Sequence, residues 1–486
     1  MFMKNRFKLS KQRIRVNPAF DSIDSILVLI ITSLSFISRF WNLFFPDDVV
    51  FDEVHFGNFT NWYTKSQFYF DIHPPLGKLI MFLFANLSEY DGNINFRSNY
   101  KDESYVILRI TPAFFSSLCP SLLYLTMRFS SFSKCASFMT AFMICFDNSM
   151  ISEGKFILSD GILHFFTCLH LLTLSYLLTI QRNTEKFNLW LVISGITLGA
   201  ACSCKNTAWG LCLLNGFVHA IELFYLTHSF SFIWISELIF RGSLLFICAF
   251  SVYLISFTIH FVLLPFYGQG NGYLPDHMVN QLIDIRYPDF LVWGNRVKGV
   301  PFIFKTIELT IIMHLGNMHI TKFHPYQSRP IGWPLLTDIR VAFWVKNGIN
   351  ISCMGNPFTY YMAFIGIILL LFGMSKEKWI ISLKFLIGWS VSYFPFFLIP
   401  RSLYLYHYLI PLMFGSCAYG ASIDLYVPKL FKGILVILSC SCILFSFILL
   451  SPYTYGTKPW DDEITIWNKN WIYGDHVHQE LSKKQQ

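Results

Sequence analysis

The sequence predicts an all-α polytopic membrane protein. Three observations carry that prediction. Apolar runs of about 20 residues, the length a helix needs to cross a bilayer, recur along the chain. Charge is scarce, 14% of residues against 54% hydrophobic, with a mean hydropathy of +0.47. The basic residues fall in alternate short connections between the apolar runs. The 52 Phe and 24 Tyr suit lipid-facing helices and interfacial belts. The net charge of +8 is spread over these connections and not gathered on one face, which argues against a nucleic-acid partner.

Residues 1–23 form a basic leader with Lys4, Arg6, Lys8, Lys11, Arg13 and Arg15, which the positive-inside rule places in the cytosol. The first apolar run is long enough to stay as a span, so no cleavable signal is expected. Eleven spans are expected, centred near Ile30, Phe115, Ala141, Leu169, Ile196, Leu214, Phe250, Ile365, Phe385, Leu412 and Leu438. Residues 76–90 are shorter and carry Lys78 and Glu89, and read as an interfacial helix.

With this count, five further cytosolic connections carry Arg128 and Lys134, Arg182 and Lys186, Arg241, Lys376 and Lys378, and Lys429 and Lys432. The opposite face receives a loop at 46–103, the polar stretch 147–160, Lys205, a long loop at 265–356, Arg401 and the tail 452–486. The chain thus divides into an N-terminal transmembrane module (24–264), the long loop, and C-terminal helices (357–451). The long loop has no regularly spaced strands, so it is not an independent β domain.

The tail carries Trp460, Trp467 and Trp471, expected to pack under the loops of that face. It ends Lys483-Lys484-Gln485-Gln486, which resembles a cytosolic retrieval signal; the agreement of five basic loops favours the span count over that signal. Most of the twelve cysteines lie in apolar runs. Cys202/Cys204 and Cys440/Cys442 lack zinc spacing, and no disulfide framework is visible. Of the glycosylation triplets, Asn350-Ile351-Ser352 is the one expected to carry a glycan.

Residues 51–80 concentrate the chemistry: FDEVHFGNFTNWYTKSQFYFDIHPPLGKLI. Asp52 and Glu53 follow the first span directly. Carboxylates at a membrane surface lose solvation and point to function, although an acidic pair also suits the start of a helix.

Further blocks follow in order: YDGN (90–93), YVILRITPA (105–113), FDNSMISEGKFILSD (146–160), SCK (203–205), FTIHF (257–261), HPYQSRPIGWPLL (324–336), GNP (355–357), RSLYLYHYLIP (401–411) and SPYTYG (451–456). Together these blocks, covering most of the chain, resemble the protein O-mannosyltransferase family. The resemblance implies a GT-C-type fold of about eleven transmembrane helices. It implies an inverting single displacement that moves mannose from dolichyl-phosphate mannose to Ser/Thr hydroxyls of proteins, with no metal and no cofactor. It further implies an endoplasmic reticulum membrane, a lumenal active site, and a dimer with itself or a related chain.

The chain departs from the family in three places. The long loop is too short for the MIR domain of fungal and animal members. Asn206-Thr207-Ala208 intervene between Lys205 and Trp209-Gly210, and Lys155 stands where an Arg is common. Two alternatives are another polyprenyl-phosphate sugar transferase and a transporter or lipid scaffold. Transporters group polar residues at mid-membrane, whereas here they crowd one face.

Transfer from a lipid phosphate needs a base for the acceptor hydroxyl and cations for the leaving phosphate. The resemblance favours Asp52 as base, with Glu53 either orienting it or the acceptor, or capping the helix. Arg109, Lys205 and Arg401 are the candidate phosphate ligands, arginine offering a planar fork. His73 either contacts sugar or peptide or fixes its loop. Asp160 either pairs with a cation or contacts donor hydroxyls. His324, near His314 and Asn317, has a structural or acceptor-groove role, since no carboxylate stands at metal-ligand spacing.

Overall fold

The computed structural model describes residues 20–97, 99–182, 184–283, 299–338, 340–373, 378–459 and 471. Most of the leader, Lys376, Trp460, Trp467 and the terminal Lys483-Lys484-Gln485-Gln486 lie outside them.

All eleven expected span centres fall inside helices. These are α1 (Ser22–Phe40), α4 (Tyr105–Phe129), α5 (Lys134–Cys145), α7 (Asp160–Leu177), α8 (Glu185–Cys202), α9 (Gly210–Thr227), α10 (Phe232–Leu263), α12 (Pro357–Leu371), α13 (Trp379–Tyr393), α14 (Leu409–Tyr426) and α15 (Lys429–Tyr455). Between them lie α2 (Glu53–Thr64), α3 (Leu76–Leu87), α6 (Asn148–Lys155) and α11 (Phe302–Met318). By length and apolarity seven of the described helices qualify alone as spans, and the pair α5–α6, bent by 57°, makes an eighth. Helix α4 packs on α1, α5 and α7; α8 packs on α7 and α10; α14 packs on α5, α12 and α13.

The α5–α6 bend has named causes. Arg39 donates to the Ile144 and Cys145 carbonyls, 2.9 Å each, satisfying the end of α5. Asp147 caps α6 through the Met150 amide (2.9 Å) and also accepts the Asn356 amide (2.9 Å). At the start of α7, a Cβ on Gly161 would lie 2.6 Å from the Pro112 carbonyl. Glycine therefore lets the turn bearing Asp160 close on α4.

The described parts of the long loop hold more secondary structure than the sequence suggests. Helix α11 gives little periodic signal, because its outward face is apolar while its inward face is mixed. Thr306, Leu309, Met313 and Asn317 turn inward, while Phe304, Ile307, Ile311 and Leu315 are exposed. A hairpin follows, β1 (Val341–Lys346) paired antiparallel with β2 (Ile349–Cys353). Asn347 and Gly348 join the strands at φ 53° and 74°, the left-handed turn that Asn-Gly favours. Asn350 and Ser352 are buried in this hairpin (2% and 0% exposed), so the folded chain offers no glycan site there, contrary to expectation.

The hairpin buttresses the loop before α2. Phe51 stacks on Phe343 at 4.4 Å between ring centroids and donates its amide to the Phe343 carbonyl at 3.0 Å. Phe51 stands at φ 49°, a strained conformation for a bulky residue that these contacts hold. Phe343→Ala is expected to lower transfer several-fold without touching substrate, by releasing the residue next to Asp52; an unchanged kcat/KM would refute the buttress.

Candidate functional site

A cleft of about 640 Å³ opens between the start of α2, the loop after it, the turn before α9, the end of α11 and the segment 401–407. Asp52, His73, Lys205, His324 and Arg401, from five separate stretches of sequence, all line it.

Asp52 occupies the N-cap position of α2 but makes no side-chain capping bond. Its carboxylate keeps an opening to the cleft. Desolvation by the surrounding protein raises its pKa, against the opposing pull of His55 and Lys205. A carboxylate in this state is poised to take a proton.

Glu53, one residue on, turns inward and is completely buried. It accepts from the Val50 amide (2.9 Å), the Ile157 amide (3.0 Å) and the Tyr100 hydroxyl (2.9 Å). Arg109 grips it with two bonds of 2.7 and 2.9 Å. The same guanidinium donates to the carbonyls of Leu43, Pro46 and Asp48. The expectation for Arg109 changes, and of the readings for Glu53 the one that faces an acceptor falls. Arg109 is enclosed away from the cleft with its donors used, and Glu53 holds the loop before α2 instead of facing an acceptor.

Lys205 does reach the cleft. Its Nζ lies 2.9 and 3.0 Å from the two Asp160 carboxylate oxygens and 5.4 Å from the centre of the Tyr406 ring. Burial penalises its charge, but Asp160, Glu153 and Asp52 more than offset this and raise its pKa. Asp160 is thus the partner of a cation, one of its two expected roles.

Arg401 donates to the Asn317 side-chain oxygen and, through Nε at 3.1 Å, to the Ser402 carbonyl. Among the described residues no carboxylate pairs with it. Of the three candidate cations it is the one that lines the cleft without a carboxylate partner among the described residues.

The loop bearing His73 is pinned by Lys78, which pairs with Asp71 and donates to the His73 carbonyl at 2.6 Å. The Leu76 amide also donates to Ser203 at 2.9 Å, tying this loop to the Lys205 turn. Burial, then Lys205 and Lys78, push the His73 imidazole well below its ordinary pKa, so it is neutral. His324 accepts the Tyr326 amide at 3.2 Å and meets the Tyr404 ring edge-on; burial lowers its pKa too.

Sequence reasoning passed over His55, Asp71, Tyr404, Tyr406 and His407, which also line the cleft. All but Asp71 lie in the FDEVHFG and RSLYLYHYLIP blocks, and Asp71 stands two residues before His73. Among the described residues no cluster of three or more His, Cys, Asp or Glu is arranged to hold a metal.

Comparison with known proteins agrees with this picture. A family model described as dolichyl-phosphate-mannose-protein mannosyltransferase matches residues 29–265, and one for the C-terminal four-helix membrane region of protein-O-mannosyltransferase matches 302–472. Dolichyl-phosphate-mannose--protein mannosyltransferase 4 of Schizosaccharomyces pombe is 38% identical over 41% of this chain and 26% of its own length. Dolichyl-phosphate-mannose--protein mannosyltransferase 6 of Saccharomyces cerevisiae is 32% identical over 63% of this chain and 40% of its own. The match thus spans well under half of either relative. The fold is similar to that in the S. cerevisiae protein O-mannosyltransferase Pmt1–Pmt2 complex bound to the sugar donor: TM-score 0.84 at 19% identity, over 99% of this chain and 97% of that one.

Proposed function

Because the chain belongs to the dolichyl-phosphate-mannose–protein mannosyltransferase family, we propose that it transfers mannose from dolichyl-phosphate mannose to Ser/Thr hydroxyls of polypeptides, in one inverting displacement. The observation that carries this reading is a single cleft whose walls share the carboxylate of Asp52, which caps no helix amide, and the guanidinium of Arg401, with which no carboxylate among the described residues pairs.

In the proposed step the acceptor oxygen attacks C1 of the mannose and its proton passes to Asp52. The bond from C1 to the phosphate oxygen breaks, and dolichyl phosphate leaves with the electron pair. Arg401 stabilises the growing phosphate charge, and Lys205 adds to the field from its pair with Asp160. These side chains supply the positive charge, so the step as proposed calls for no metal. The rings of Phe59, Trp62, Tyr69 and Tyr273 offer apolar faces to the sugar. Neutral His73 offers a hydrogen bond to a sugar hydroxyl, and His324 lies toward the acceptor. We place the protein in the endoplasmic reticulum membrane with the cleft in the lumen, working as a dimer with itself or a related chain.

Three results are expected. Removing a charge-assisted bond to phosphate costs about 1.5–3 kcal/mol. Arg401→Ala should therefore raise the donor KM by roughly 10- to 100-fold, with Arg401→Lys intermediate; an unchanged KM would remove Arg401 from the phosphate site. The base works only when ionised and its pKa is raised. Hence kcat/KM should fall as pH drops through a midpoint above the ordinary aspartate value, and be flat above it. A profile with no acid limb in that range contradicts Asp52 as base. Supplying mannosyl and glucosyl forms of dolichyl phosphate side by side tests the donor: mannose should transfer preferentially, and preference for glucose would favour another sugar transferase of this architecture.

A further inference from the structure

We infer that Cys202 and Cys212 form a disulfide that closes the turn carrying Lys205; the inference rests on the proposed lumenal placement of the cleft. Cys202 is the last residue of α8 and Cys212 the third of α9. Their sulfurs lie 3.8 Å apart across the turn, in which Asn206–Trp209 wind a 3-10 helix. At that spacing the two sulfurs are in van der Waals contact, so the side chains already face each other. Sequence neighbours suggested no such pair, because Cys204 shares the turn with Cys202 but is buried against the start of α3, its sulfur 3.9 Å from where a Cβ on Gly77 would lie.

The two cysteines differ in exposure, and Cys212 stands in the first turn of α9, at the end that the proposed topology gives to the lumen. Cys212 is exposed and Cys202 is buried. A disulfide donor, either a small-molecule disulfide or an oxidised dithiol oxidoreductase, is attacked by the Cys212 thiolate. One donor thiol leaves and a mixed disulfide forms. The Cys202 thiolate then attacks the Cys212 sulfur, the protein S–S bond forms, and the second donor thiol leaves. Two protein thiols are oxidised, one donor disulfide is reduced, and the two thiol protons end on the two donor thiols.

The enclosed turn matters to the cleft. Lys205 lies inside the closed loop and reaches Asp160 and the Tyr406 ring from it. Two other contacts already hold this turn. Ser203 accepts the Leu76 amide at 2.9 Å, and Gly210 sits so near the Val391 carbonyl that a Cβ would lie 2.7 Å from it. The cross-link supplies a third and holds the Lys205 backbone ready for donor. Preorganising one long side chain is worth roughly a 2- to 10-fold lower donor KM, with little change in kcat.

The test holds the purified protein in a glutathione buffer of lumenal poise, traps thiols with acid, denatures, alkylates and maps peptides. Two of the twelve cysteines should resist alkylation and appear as one peptide joining 202 to 212. Dithiothreitol should free both and raise the donor KM. Cys212→Ser, a change at an exposed position, should show the higher KM from the start and ignore dithiothreitol. All cysteines alkylated in the oxidising buffer, or a cross-link between other positions, overturns the inference. A 202–212 cross-link whose reduction leaves KM unchanged overturns its positioning role. The thiol map needs neither donor nor acceptor, so it stands or falls separately from the proposed transfer.

Discussion

Asp52→Asn is expected to lower mannosyl transfer by roughly 10²–10⁴-fold, the usual worth of a general base, with the fold and donor binding intact. The geometry makes this a clean substitution. The Asp52 carboxylate caps no helix amide, and within the described residues nothing grips it. Asn keeps its size and polarity but takes no proton. Measured at equal expression, with the donor KM determined alongside, the loss should fall on kcat. Transfer close to the unsubstituted rate would assign the base elsewhere in the cleft.

The neighbouring pair should behave in the opposite way. Arg109→Ala, or Glu53→Ala, is expected to cost about 3–5 kcal/mol of stability, because each strands a buried charge. Glu53 and Arg109 are both completely buried, and their bonds tie α4 to the loop before α2 and to the Ile157 amide. A loss of that size is a large fraction of the roughly 5–15 kcal/mol typical of a folded domain, so folded protein should fall sharply in detergent. Arg109→Lys keeps the charge but not the fork and should recover only part of it. Thermal unfolding of the solubilised variants decides the matter. An Arg109→Ala protein with an unchanged unfolding midpoint and a raised donor KM would return Arg109 to the phosphate site.

The helices were legible in the sequence because burial in lipid demands long apolar runs, and all eleven expected centres lie in helices. Helix α11 was not, since a helix with apolar residues on its exposed face shows little contrast between faces. The Asn347-Gly348 turn is legible, as Asn-Gly between alternating apolar residues is a strong hairpin signal; a single hairpin, however, lacks the regular spacing of strands that marks a β domain. The site was half legible. Sequence blocks brought Asp52, His73, Lys205, His324 and Arg401 forward, and the structure gathers them around one cleft. Only the family blocks favoured Asp52 over Glu53 as base, because successive residues at a helix start point about 100° apart and the surrounding chain decides which one faces inward. Nor does the sequence tell that Arg109 is enclosed while Arg401 lines the cleft. Each is an arginine near a helix end, and the difference lies in the partners: a buried carboxylate for one, an amide oxygen and a carbonyl for the other.

The most direct measurement of the central claim is a membrane assay with dolichyl-phosphate mannose labelled in the sugar and a Ser/Thr-containing peptide. Membranes bearing this protein should move label into the peptide, in a linkage released by β-elimination. Membranes bearing the Asp52→Asn protein in equal amount should do so at least a hundredfold more slowly, the lower end of the range for a general base. Label that remains in the lipid, or that enters the peptide equally with both proteins, would contradict the account.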